Sequence, residues 1–224
     1  MLATIPSEDH VGGQQPETSA AEATTPRVLL ILAAILERLV ARNDPLVEHS
    51  GRNSLIHHVS LRPLEAGELG MSLKVFNGVR APNISIAKYL ERLYKYTNCS
   101  PSCFVVGYVY IDRLVHKHPE LLVISLNVHR LLLTSVMIAS KMLDDVDRQY
   151  NNAFYAKVGG VSNSELNRLE LELLFLLDFE VTVSSPIFQS YCWYLEKEDL
   201  RIGSTLKRIQ QPIAFDIKDD VNGI

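Results

Sequence analysis

The chain has little of what staples or anchors a small secreted domain. Its 224 residues include three cysteines, four methionines and one tryptophan. An odd cysteine count gives no disulfide framework and fits a reducing compartment; Cys103 and Cys192 read as small core thiols. Long hydrophobic runs are missing too. The most apolar stretch, Val28 to Leu36, closes on Glu37-Arg38, far short of the roughly 20 residues that a membrane span needs. No Lys or Arg precedes Arg27, whereas Glu8, Asp9, Glu17 and Glu22 do. That is wrong for the cationic start of a signal peptide and for an Arg-rich transit peptide. With a net charge of −4 no overall basic field draws nucleic acid or anionic lipid. The expectation is a soluble chain with neither nucleic acid nor membrane as partner.

Catalytic signatures are absent as well. The sequence holds no G-x-G-x-x-G, no G-x-x-x-x-G-K-[ST], no H-E-x-x-H and no G-x-S-x-G. Gly159-Gly160 reads as a helix stop rather than a phosphate cradle. Cys99 and Cys103 stand four apart, but no further Cys or paired His lies at zinc-site spacing; Cys99 reads as loop and Cys103 as core. His116 and His118 flank Lys117 at a helix end, where imidazoles suit the negative end of the dipole better than a metal. A non-catalytic protein with no cofactor and no metal is expected.

What remains is helix. Hydrophobic residues make up 47% of the chain and charged ones 21%, enough to build a core. There is no strand alternation, no internal repeat and no heptad seam. Met1 to Thr25, rich in Ser, Thr, Glu, Gly and Gln, reads as a disordered tail. Thr25-Pro26 opens a helix over Arg27 to Arg42 with Val28, Leu32, Ile35, Leu36 and Leu39 on one face, and Asn43-Asp44-Pro45 is expected to stop it. Leu46 to Pro82, punctuated by Gly and Pro, reads as a long connection with a short helical turn or two. His57-His58 falls in it and is assigned nothing.

Further helices are predicted near Ile84–Tyr96, Pro101–His116, Val128–Leu143, Asn152–Val158 and Ser162–Asp178. Ser85 or Asn83 caps the first and Ser100 the second. Asn127 caps the third, which is apolar nearly all round and so central. Ser162 with Glu165 forms a capping box for the last. A short C-terminal helix from Pro186 to about Glu196 and a polar tail complete the expectation.

Three groups of charge stand out. Asp144, Asp145 and Asp147 follow a helix C-terminus, where acids are disfavoured; a solvated turn is the reading preferred over a cation or partner site. Lys141 ends the most apolar helix, and Glu170 lies between Leu169 and Leu171. A Lys and a Glu in Leu-rich helices either pair, serve a partner, or form an exposed stripe, and periodicity leaves these open.

At these residues the sequence resembles the cyclin family. Tyr110-Ile111-Asp112-Arg113-Leu114 is similar to the second-helix signature of the cyclin box. Ile138-Ala139-Ser140-Lys141 is similar to the third-helix signature, and Leu169-Glu170 to the fifth-helix glutamate. Asn152 to Gly160, followed by Ser162 to Glu170, resembles the phosphate-regulating cyclins of yeast and, more closely, the plant P-type (U-type) cyclins. Ser85 to Thr97, Cys99 to Leu114 and Arg27 to Asp44 point the same way.

The resemblance implies an all-α fold: a single five-helix cyclin box over 84–182, preceded by an N-terminal helix and irregular connection over 26–83 and followed by a C-terminal helix and tail over 183–224. It implies a regulatory subunit, not an enzyme, that binds and activates a cyclin-dependent kinase carrying a PSTAIRE-type helix, in the nucleus and cytoplasm. By the same analogy Lys141 and Glu170 hydrogen-bond the kinase backbone, while Met142, Leu174, Phe179 and Val181 make apolar kinase contacts. Two departures stand out. The first helix reads Ile84-Ser85-Ile86-Ala87-Lys88 where mitotic cyclins carry a substrate-docking Met-Arg-Ala-Ile-Leu, so Asp112 lacks the arginine that pairs with it in the family. No second box follows Asp178. The rival readings are a cyclin-fold module that binds DNA or transcription factors, and a kinase-free helical scaffold.

Overall fold

In the computed structural model, residues 25–53, 73–144 and 151–210 are described. They form seven α-helices: α1 Arg27–Asn53, α2 Ile86–Thr97, α3 Pro101–Lys117, α4 Val128–Leu143, α5 Asn152–Gly159, α6 Asn163–Leu176 and α7 Ser185–Gln210. A 3₁₀ turn, Leu73–Phe76, precedes α2. Among the described residues there is no strand, and the chain is all-α as expected. Met1 to Thr24 of the predicted tail, Ser54 to Ser72 of the predicted connection, and Asp145 and Asp147 lie outside the described residues.

α3 and α4 form the centre. Every residue of α4 from Leu131 to Ser140 is buried, as an all-round apolar helix must be. A fully buried Leu, Ile or Met side chain contributes about 1.5–3 kcal/mol before its entropy loss is counted. α2 buries Ile86, Tyr89, Leu90, Leu93 and Thr97, a stripe at helical spacing. The Ser85 side chain accepts from the Lys88 N–H, which identifies the cap between the two candidates. α6 buries Leu166, Leu169, Leu173 and Leu176 on its inner face and leaves Glu170 and Leu171 toward the outside.

Two helices outrun the sequence reading. α1 continues through Pro45 to Asn53, although a proline inside a helix costs about 3 kcal/mol. The Asn43 and Asp44 side chains, expected to compete for the helix backbone, are occupied elsewhere. Asn43 Nδ2 donates to the Val123 carbonyl at 2.9 Å, and Asp44 Oδ1 accepts from the Ser125 N–H at 2.9 Å. The stop signal is therefore a tether to the α3–α4 connection.

α7 likewise continues past Glu196 to Gln210, and there Glu198 and Asp199 are partnered rather than solvated. Glu198 is buried between Arg38 Nη2 at 2.6 Å and Arg201 Nη1 at 2.9 Å. Bonds from Arg201 and then Arg38 hold its carboxyl below the usual range. Asp199 pairs with Arg27, so both ion pairs to α1 pin α7 across it.

Candidate partner-docking site

Three elements converge at the outer end of α4. Lys141 Nζ donates to Glu170 Oε1 of α6 at 2.6 Å and to Asn152 Oδ1 of α5 at 2.5 Å. Asn152 Nδ2 donates in turn to Glu170 Oε2 at 2.6 Å and to Asn167 Oδ1 at 2.8 Å. The Lys141 side chain is 38% exposed and that of Glu170 17%. Of the alternatives that periodicity left open, the structure shows the pair: two charges from adjoining helices are joined and still reach solvent. An ammonium has three donors and a carboxylate about four acceptor sites. Two of the donors are used here, so the cluster retains both donor and acceptor capacity for a second chain.

The surroundings are apolar. Met142 and Leu143 follow Lys141 on the surface, with Met142 49% exposed; Leu171 and Phe175 occupy the row of α6 beside Glu170. Phe179 is 57% exposed and stands edge-on to Phe175 with ring centroids 5.2 Å apart. Leu174 and Val181 are half-buried, packed on the rim of the core. Lys141, Met142 and Phe179 are thus presented to solvent, whereas Glu170, Leu174 and Val181 offer only part of their surface. Glu172, Asp178 and Glu180 add acidic character beside them.

Asn152 and Asn167 escaped the sequence reading. Asn152 reads from the sequence only as the start of the short helix, but the cap of that helix is the residue before it. Asn151 is that cap, its Oδ1 accepting from the Phe154 N–H at 3.1 Å. The second asparagine was the available signal.

The end of α6 has an unusual conformation. The Phe179 N–H bonds the Leu174 carbonyl at 2.8 Å and the Asp178 N–H bonds that of Phe175 at 2.9 Å, a Schellman closure. That closure normally places glycine in the left-handed residue. Here Asp178 (φ 51°) and Phe179 (φ 59°) are both left-handed, at roughly 1–2 kcal/mol each for a residue with a Cβ.

The expectations for Asp144 and Glu165 need correction. Asp144 is not in a solvated turn: its carboxylate accepts from the Ser100 N–H and hydroxyl at 2.9 Å each and from the Cys103 thiol at 3.2 Å. It sits at the N-terminus of α3, where a negative charge is favoured, and Ser100 itself makes no side-chain cap bond. Cys99 lies in the loop between α2 and α3, as read, and is buried there with its Sγ 3.0 Å from Thr97 Oγ1. The Glu165 half of the capping box is diverted: Glu165 Oε1 accepts from Arg130 Nε at 2.7 Å, while its N–H still donates to Ser162 Oγ at 3.0 Å. Asp112, short of an arginine, accepts instead from the Tyr191 hydroxyl of α7 at 2.6 Å.

The family model Cyclin matches residues 26–181. The chain is 59% identical to Cyclin-U1-1 of Arabidopsis thaliana over 197 residues, 88% of this chain and 85% of the relative. It is 49% identical over 172 residues to Cyclin-U4-1 of the same plant, covering 77% and 76% of the two chains. To Cyclin-P3-1 of Oryza sativa subsp. japonica it is 46% identical over 175 residues, covering 78% and 66%.

Proposed function

The chain belongs to the cyclin family, with U- and P-type cyclins of plants among its relatives, and from that premise we propose that it binds and activates a cyclin-dependent Ser/Thr kinase carrying a PSTAIRE-type helix. The observation that carries the reading is the Lys141–Glu170 pair, joined at 2.6 Å yet open to solvent among exposed apolar side chains. Members of the family are regulatory subunits, and no phosphoryl-transfer chemistry is assigned to this chain.

The physical task is positional. Lys141 donates to kinase carbonyls and Glu170 accepts from kinase amides, fixing register on a surface that Met142, Leu143, Leu171, Phe175 and Phe179 make adhesive. A face so seated holds the kinase αC helix where the kinase's own Lys–Glu pair and Asp–Mg²⁺ site are assembled. Moving the kinase from about 1% to about 99% active takes roughly 5.5 kcal/mol of differential binding. An apolar interface with desolvated polar anchors is of the size to supply it. We place the complex in nucleus and cytoplasm, in cell-division or nutrient-linked control.

The test is co-purification of the full chain with such a kinase, followed by a kinase assay. Lys141→Ala with Glu170→Ala should abolish both capture and activation while leaving the helical circular dichroism unchanged. Retained activation by the double variant overturns the site. A salt-dependent affinity of the chain for duplex DNA, with no kinase captured, favours the DNA-binding rival instead.

A further inference from the structure

Bulky left-handed residues persist only where their surroundings over-determine them, and such positions concentrate at binding sites. Phe179 is one, and the surroundings that hold it come from α3. His118 Nε2 lies 3.0 Å from the Leu176 carbonyl, and Lys117 Nζ donates to that of Leu177 at 3.3 Å. Arg113 Nη1 donates to the Glu180 carbonyl at 2.8 Å and to that of Thr182 at 3.1 Å. The Tyr110 hydroxyl donates to the Val181 carbonyl at 2.6 Å. Lys117 also pairs with the carboxylates of Asp178 and Glu180 at 2.9 Å each. A single helix thus binds the backbone on both sides of Phe179 and leaves its ring outside.

A turn that served only to end α6 would need none of this: glycine at both 178 and 179 would close the same Schellman motif without strain. We propose that Arg113 and Lys117 are positioning residues that lock Phe179 as a preformed aromatic knob for the kinase. The inference rests on the kinase-docking reading and goes beyond it: part of the affinity is set by side chains of a neighbouring helix. A preformed knob binds more tightly than a mobile one because no ordering cost falls on the complex.

The experiment is calorimetric titration of the full chain with a purified PSTAIRE-type kinase, combined with amide hydrogen exchange on the free chain. Phe179→Ala should weaken binding about tenfold, and Arg113→Ala several-fold. Arg113→Ala should add nothing further on the Phe179→Ala background. In Arg113→Ala the amides of 178–182 should exchange faster while those of α4 stay protected. If Arg113→Ala fails to fold, Arg113→Lys replaces it, keeping the charge without the guanidinium's reach.

Additive losses or unchanged exchange at 178–182 overturn the proposal. Faster exchange with unchanged affinity overturns it while sparing the kinase reading. A wild-type chain that binds no kinase overturns the kinase reading and this inference together, and the exchange data then show separately whether the clamp exists. A wild-type chain that self-associates through Phe179 instead of binding kinase also overturns it.

Discussion

Asp144 closes α4 but caps α3: its carboxylate accepts from the N–H and the hydroxyl of Ser100, at 2.9 Å each. The residue three places after Lys141 therefore fixes where the docking end of α4 stands relative to α3. Asp144→Ala removes the cap's acceptor and should lower stability by about 1–2 kcal/mol in urea unfolding.

The same residue sets an acid dependence. Burial pushes the Asp144 carboxyl up, but bonds from the Ser100 N–H, the Cys103 thiol and the Ser100 hydroxyl outweigh it, and the net shift is downward. A carboxyl lowered in the folded state stabilises above its unfolded value, and the effect is lost as pH falls through the folded one. Wild type and Asp144→Ala should thus differ fully at neutral pH and converge in acid. Urea midpoints measured at intervals from neutral pH down to the acid limb read this directly; a constant gap would refute the cap as its cause.

At the alkaline end the tyrosines take over. Burial raises the phenols of Tyr89, Tyr108, Tyr155 and Tyr191, and that of Tyr110 to about 12. For Tyr191 the hydrogen bond to Asp112 adds to the effect. A phenol raised in the folded state stabilises fully below its unfolded value near 10, and this is lost as pH climbs toward the folded value. Ultraviolet titration should show these five phenols ionising only in a cooperative step with unfolding. Tyr191→Phe should remove one phenol from that step and weaken the docking of α7 on Asp112, at about 1.5 kcal/mol for a hydrogen bond to a charged group.

Much of this architecture was legible from residue spacing. α2 through α6 begin and end within a few residues of the predicted bounds, because Ser85, Ser162 and Gly160 are local signals acting on local backbone. Asn43-Asp44-Pro45 and the polar end of α7 misled for one shared reason. Their side chains bond residues far away in sequence: Asn43 to Val123, Asp44 to Ser125, Glu198 to Arg38. A local reading treats such groups as solvated, and solvated they would end a helix. At the site, Lys141 and Glu170 stood out because charges are rare among leucines. Asn152 did not, since a neutral residue at a helix start looks like a cap.

Asn152 yields the next prediction. Its side chain ties Lys141 to Glu170 by bonds of 2.5 and 2.6 Å, so Asn152→Ala should loosen both without exposing core. The expected loss is about 1 kcal/mol of kinase affinity, smaller than the about 2–5 kcal/mol for removing either charge if it is desolvated on docking. Titration calorimetry with the kinase ranks the three variants; an Asn152→Ala chain weaker than Lys141→Ala would contradict the order.

The two glycines that close α5 separate a packing role from a conformational one. A Cβ on Gly159 would fall 2.2 Å from Leu133 Cδ2, whereas one on Gly160, at φ +75°, meets nothing within 4 Å. Leu133 is fully buried and has little room to withdraw. Gly159→Ala should cost about 1–3 kcal/mol by overpacking and displace α5 from α4. Because α5 carries Asn152, the displacement should also reach the Lys141–Glu170 pair and reduce kinase binding. Gly160→Ala should cost about 1 kcal/mol through its left-handed backbone and leave binding unchanged, since the strain ends at the helix stop. Thermal unfolding and kinase titration on both variants distinguish them: equal loss of binding at the two positions would mean that α5 does not transmit its position to the site.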